Sequence, residues 1–274
     1  MSFLARAPRG ARAVLAGLAA VLVTFAATRA SAFDPFEIQV YDGQASGPGE
    51  AGLELHANHV AKGLRTVAPP ELAPHRRTNL TLEPSLGLMP WWELGAYLQS
   101  SLGSDGTLDW AGYKLRTKFV TPPKWHPHLR LGVNFELGQI PSRFSADTWN
   151  SEVRPILAWE NDDWHFAVNP NVATSLGGCA DAADCRSPEL EPAAMALEKF
   201  EGLLSIGFEY YGSLGRIKKP LPISQQTHYV FAALNVLALE GWELNVGVGR
   251  GLTEQSNTYI VKTILGHAIG GLLW

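Results

Sequence analysis

The chain has 274 residues, 46% hydrophobic and 18% charged, with a formal net charge of −4. Setting aside an N-terminal segment with four Arg and no acid takes that charge to −8, which speaks against a nucleic-acid partner, since phosphate backbones are held by basic surfaces. Past that segment no stretch is continuously apolar for the ~20 residues of a spanning helix, so any passage through a membrane falls to strands, the other structure that satisfies its backbone in lipid.

The segment itself begins MSFLARAPRGAR, with Arg6, Arg9 and Arg12, and continues into the apolar run AVLAGLAAVLVTFAA over 13–27. Ala30-Ser31-Ala32 follows as a small-residue cleavage pattern. A basic region, an apolar region and A-x-A together read as a cleaved secretory signal, residues 1–32. The mature chain is then 33–274, read as one barrel domain of 242 residues.

From Phe36 onward the chain is written in alternation. "GLELHANHV" sets Leu53 and Leu55 against Glu54, His56 and Asn58, and "NLTLEPSLGL" sets Leu80, Leu82 and Leu86 against Thr81, Glu83 and Ser85. "WELGAYLQSSL" sets Leu94, Ala96 and Leu98 against Glu93, Tyr97 and Gln99, and "AGYKLRTKF" sets Tyr113, Leu115 and Phe119 against Lys114, Arg116 and Lys118. "HLRLGVNFELG" sets Leu131, Val133, Phe135 and Leu137 against Arg130, Asn134 and Glu136. "FEGLLSIGFEYY" and "WELNVGVG" repeat the pattern, and "TYIVKTILGHAIGGLLW" repeats it less cleanly. Successive side chains of a strand point to opposite faces, so each run has one oily and one polar face. "GSDG", "TPPKWHP", "ENDD" and "EGW" mark turns between runs. The one plausible short helix is 188–199, "PELEPAAMALEK".

Counting runs from Phe36 gives about twelve strands, many of ten residues or more. Soluble strands average ~5–6 residues, whereas a tilted membrane strand needs ~9–11. Nearly all nine Trp stand at strand ends or turns, where aromatic girdles meet the membrane interface. Trp274 ends the chain on an aromatic residue. The expected fold is all-β, a transmembrane antiparallel up-and-down β-barrel of about twelve strands, oily face to lipid and charges inward; a soluble sandwich or lipocalin-like barrel is the rival. Starting the count at Phe36 puts the tight turns "MPWW" and "NDD" outside, whereas starting one strand later corrects the turns and leaves eleven strands.

The lumen is where chemistry is expected. Lys114, Arg116, Lys118 and Arg130 line neighbouring strands, with Glu93, Glu136, Glu152 and Arg154 nearby. Buried charges must be paired or wet, so these residues form either an ion-pair lattice filling the barrel or a constriction selecting anionic or aromatic solutes. Cys179 and Cys185, in "GGCADAADCRS", are expected to form a disulfide in an oxidising compartment. No metal site is expected: His56 and His59 fall on opposite faces of a strand, and His126 and His128 lie in a Pro-rich turn. No G-x-S-x-G or similar signature marks an enzyme.

Three phrases, "LGLMPWWELGAYLQ", "ENDDWHFAVNPNV" and "ELNVGVGRGLTEQSNTYIVKTILG", together with "FEIQVYDGQASGPGEAGLELHAN", resemble uncharacterised outer-membrane barrels of proteobacteria. That group includes the transporter-like barrels filed with phenol-degradation pathways. The resemblance implies a bacterial outer-membrane location. The partners expected of such a barrel are outer-membrane lipid, the barrel-assembly machinery during biogenesis and a small-molecule solute. The resemblance implies an outer-membrane β-barrel with a transport role; the function expected is a passive channel or transporter for small solutes, with a plugged structural or adhesive barrel or a lipid-modifying enzyme as alternatives. It carries over no catalytic residues and no cofactor.

Overall fold

In "YKLRTK" the side chains of Lys114, Arg116 and Lys118 must turn to one side and those of Tyr113, Leu115 and Thr117 to the other. A computed structural model, describing residues 34–179, 185–238 and 241–271, shows what lies on each side. The signal read from residues 1–32 and the terminal Trp274 lie outside the described residues.

The chain forms β1 (Glu50–Lys62), β2 (Thr78–Met89), β3 (Trp92–Leu102), β4 (Leu108–Val120), β5 (Leu129–Gln139), β6 (Trp149–Glu160) and β7 (Trp164–Gly177). It continues with β8 (Pro188–Phe200), β9 (Leu204–Ser213), the two-residue β10 (Gly215–Arg216) and β11 (Lys219–Pro220), then β12 (Thr227–Val236), β13 (Trp242–Gly251) and β14 (Tyr259–Gly271). β10 and β11 make a small hairpin beside β8. The other twelve pair antiparallel, each with the next, and β1 pairs with β14 to close the wall. Closure leaves no free edge, as a strand structure in lipid requires. Among the described residues no helix is long and apolar enough to cross a membrane, which says nothing of strands.

The twelve strands differ from the expected twelve at two places. Residues 188–199 are strand β8, not a helix. Helix propensity is a weak prior that tertiary pairing overrides, and β8 is paired along both edges, to β7 and β9. The run at Phe36 is not a wall strand: residues 36–41 carry no strand pairing and lie inside the barrel, where Phe36, Ile38 and Tyr41 are buried. With β1 starting at Glu50 and β8 added, the count is twelve and the turn conflict disappears. One end of the barrel holds the entry into β1, the end of β14, and the tight connections 90–91, 161–163 and 201–203. The other end holds the longer connections 63–77, 140–148 and 214–226.

Leucine, valine and phenylalanine cover the outer wall: Leu115 is 58% exposed and Phe208 64%. A contiguous apolar surface of this kind is not stable against water, and it fits hydrocarbon. Trp91, Trp92, Trp125, Trp159, Trp164 and Trp242 gather at the turn end, and Trp110 and Trp149 at the loop end. Around the first group Trp92 stacks on Phe119 with centroids 5.9 Å apart, and Trp164 stacks on Phe166 at 5.6 Å.

Candidate functional site

The interior is divided by the extended segment 34–49, which starts toward the loop end, where Phe36 meets Phe144 of the 140–148 connection, and runs down to the turn end. Its alternation places Phe36, Ile38 and Val40 on one face and Glu37, Gln39 and Tyr41 on the other. Ile38 and Val40 join a buried apolar cluster with Met195, Leu197, Phe231 and Ile260 from the wall. The segment has no strand neighbour, so its backbone groups must find partners elsewhere. Wall side chains supply them. Thr81 Oγ1 donates to the Phe36 carbonyl (2.9 Å) and Lys262 Nζ to the Ile38 carbonyl (3.1 Å). The Asn169 amide takes both groups of Tyr41, accepting from its N–H at 2.7 Å and donating to its carbonyl at 2.9 Å. At the turn end the Ser46 N–H donates to Glu93 (2.6 Å). The backbone of Ser46 and Gly47 crosses Gly87 so closely that a Cβ there would collide with it.

The polar face of the segment meets a chain of ion pairs on β2 to β6. Arg116 binds Glu83 and Glu93, both at 2.6 Å, and Lys118 binds Glu93 at 2.9 Å. Gly95 makes this possible: a Cβ at that position would stand 2.6 Å from Arg116 Nε. Lys114 reaches Asp34 (2.5 Å) and Glu136 (3.0 Å). Arg154 holds Glu37 at 2.8 Å and Glu152 at 2.7 Å, with its guanidinium 4.4 Å from the Tyr41 ring centroid. Glu136 and Glu152 face each other directly across β5 and β6, an arrangement that repels unless a cation bridges them, and here Arg154 reaches both, at 3.7 Å and 2.7 Å. Tyr41 and Tyr97 join through their hydroxyls. A separate pair, Lys262 with Glu209, sits under the segment on the far wall.

Six of the seven expected lumen residues, Glu93, Lys114, Arg116, Lys118, Glu136 and Arg154, face inward and belong to this network. Arg130 stands apart at the turn-end mouth. It is half-buried beside Gly43 and donates to the His126 carbonyl at 2.9 Å. The residues not anticipated are Asp34, which precedes the run counted from Phe36; Glu37 and Tyr41, which belong to that run, read as wall; and Glu83, which was visible on the polar face of "NLTLEPSLGL". Within the network six carboxylates (Asp34, Glu37, Glu83, Glu93, Glu136, Glu152) meet four cations (Lys114, Arg116, Lys118, Arg154). Carboxyl groups therefore outnumber the Lys and Arg side chains of the network, and His56 joins it through Glu83.

His56 points inward with its Nε2 3.0 Å from Glu83 and 3.5 Å from Glu54. Among the described residues these three form the one set that brings a nitrogen and two carboxylates within reach of a single metal ion. Spacing along one strand could not reveal the set, because Glu83 comes from the neighbouring β2. A small void inside the lumen, about 20 Å³, is lined by Asp34, Glu37, Glu152, Asn171 and Glu191 among others. A larger groove of about 380 Å³ lies on the outer wall at the turn end, between Trp91, Phe119, Trp125 and Leu131. Cys179 and Cys185 are bonded in the connection after β7.

No protein-family model matches the chain. No curated protein matches it in sequence. Among solved structures it is similar to the COG4313 outer membrane channel from Pseudomonas putida F1, at 10% identity and a TM-score of 0.56, covering 85% of this chain and 100% of that one. It is similar to the KdgM porin at 12% identity and a TM-score of 0.52, and to the NanC porin at 9% and 0.52. Each of those two alignments covers 80% of this chain and 99% of the porin. Identities this low establish a shared barrel fold.

Proposed function

We propose that this protein is a passive channel for small solutes in the bacterial outer membrane, narrowed by segment 34–49 and by the charges around it. The observation that carries the reading is how the lumen is filled. A closed twelve-strand wall encloses a polar, charged half-lumen, and the segment inside is held by side-chain bonds rather than as part of the sheet. Such a segment can shift without opening the wall. The names of the similar barrels, one an outer membrane channel and two porins, support the same reading. Export with cleavage after Ala32 and passage through the barrel-assembly machinery belong to the proposal. So does kinship with the transporter-like barrels filed with phenol-degradation pathways, on the phrases quoted above. By the usual outer-membrane arrangement of short periplasmic and long external connections, the turn end faces the periplasm. The excess of carboxylates gives the passage a preference for cations, because charged rings select by sign.

The buried ion pairs and the apolar cluster packed around the inner segment favour a second reading, a filled barrel that does not conduct. Planar-bilayer recording of the refolded mature chain, with folding checked by a heat-modifiable gel shift, separates the two. Small discrete steps that grow when residues 34–48 are deleted are the expected result. Silence from the folded full-length chain would overturn the channel reading in favour of the filled barrel.

A further inference from the structure

His56 lies two residues after Glu54 on β1, so the two side chains share the inward face. Glu83 stands directly opposite Glu54 on β2. His56 is 0% exposed. Its Nε2 lies 3.0 Å from Glu83 Oε2 and 3.5 Å from Glu54 Oε2. A ring nitrogen offers a single proton or a single lone pair, so it serves one of these two oxygens, and the oxygen it bonds is that of Glu83. Glu54 Oε2 is buried and has no hydrogen-bond partner among the described residues. Buried side-chain acceptors are nearly always satisfied, so the exception asks for a partner. A single ion placed among the three atoms would serve all of them at once.

We propose that Glu54, His56 and Glu83 form a binding site for one divalent transition-metal ion of the zinc type. The three ligand atoms lie within 4.8 Å of one another. Tetrahedral bonds of about 2.0–2.1 Å set ligand atoms about 3.4 Å apart, and the two distances at Nε2, 3.0 and 3.5 Å, fall on either side of that spacing. An imidazole nitrogen with two carboxylate oxygens suits zinc and its neighbours, whereas calcium and magnesium take oxygen ligands. The surroundings hold the ligands in place. Arg116 binds Oε1 of Glu83 through Nε at 2.7 Å and Nη2 at 2.6 Å, which orients the carboxylate and leaves Oε2 to the site. Gly266 of β14 pairs with both Glu54 and Glu243. A Cβ on it would stand 3.1 Å from Glu54 Cγ and 3.2 Å from Glu243 Cβ, so its absence gives both carboxylates room. Glu243 is exposed and the Glu54 side chain is 23% exposed, which opens the site toward the turn end. Three protein ligands leave the ion a further position for water. The exposed pair His126 and His128, with ring centroids 6.3 Å apart, is the competing place for such an ion at the same end. The inference stands whether or not the lumen conducts.

The test is a titration of the tag-free mature protein, refolded in chelator, with cobalt(II), reading its visible absorption and the loss of that absorption when zinc is added. Glu54→Gln and His56→Gln each remove one ligand, and the double variant His126→Gln/His128→Gln is the control. The gel shift confirms that each variant is folded; Glu54 is the less buried of the two ligands, so Glu54→Gln carries the test if His56→Gln does not fold. One zinc-displaceable cobalt per chain is expected in the wild type and the control. Loss of a ligand should weaken it by about tenfold or more, since even a supporting group is worth that much. Absence of zinc-displaceable cobalt binding in the folded wild type would overturn the proposal. So would wild-type affinity in either folded ligand variant, or a loss of binding in the control.

Discussion

Replacing Arg154 with Ala tests whether the inner segment is tied to the wall by buried charge. Arg154 is 3% exposed and contacts Glu37 of the segment at 2.8 Å and Glu152 of its own strand at 2.7 Å. Removing one member of a buried ion pair costs about 3–5 kcal/mol, because the partner stays buried and unpaired. Loss of the contact with the Tyr41 ring adds about 0.5–2 kcal/mol. Water can enter a perturbed lumen and solvate the stranded carboxylates, so the lower end, about 3 kcal/mol, is the expected loss. Urea unfolding in lipid vesicles, followed by Trp fluorescence, reads it directly. Adding Glu37→Gln to Arg154→Ala removes the stranded charge and should recover about 0.5–3 kcal/mol, the range for residues in contact. The freed segment should also raise single-channel conductance. A loss below about 1 kcal/mol, the size of an exposed pair, with unchanged conductance would refute the reasoning: the lumen would be wet, and the network would not hold the segment.

The outer wall makes a sharper demand. Leu115→Arg puts a charge between two inward cations but on the lipid side, near mid-strand, and should cost about 2–4 kcal/mol in the same unfolding assay; a cost near zero would mean that this face does not meet lipid. Gly95→Val drives a side chain into the place of the Arg116 guanidinium and should destabilise by about 1–3 kcal/mol. Combined with Arg116→Ala its further cost should fall well short of additive, and full additivity would separate Gly95 from the network. Cys179 and Cys185 lie at the loop end. After mild reduction they should react with a membrane-impermeant maleimide on intact cells, and labelling that requires a permeabilised outer membrane would invert the assigned sidedness.

Most of the wall could be read from residue order, because a strand between lipid and a polar lumen must alternate, and Lys114-Leu115-Arg116 does so in three letters. Six of seven lumen residues followed from that rule alone. Two misreadings, of 36–41 as wall and of 188–199 as helix, have one physical origin. Period-two alternation reports an extended chain between two environments. It does not report whether the chain's neighbours are strands. Residues 36–41 alternate because Ile38 and Val40 face an apolar half-lumen while Glu37 and Tyr41 face the charged half. Their backbone is satisfied by Thr81, Asn169 and Lys262 instead of a ladder. The same segment hides β8. Where Ile38 and Val40 pack, the inner wall must be apolar too, so β8 presents Ala193, Met195 and Leu197 inward, with Leu190, Ala194 and Ala196 on its other face. A strand apolar on both faces shows no alternation, and what remains of its pattern is a run of good helix formers. Thus the segment inside the barrel erases the signature of one wall strand while supplying a false one of its own, and the strand count stayed at twelve because the two effects offset.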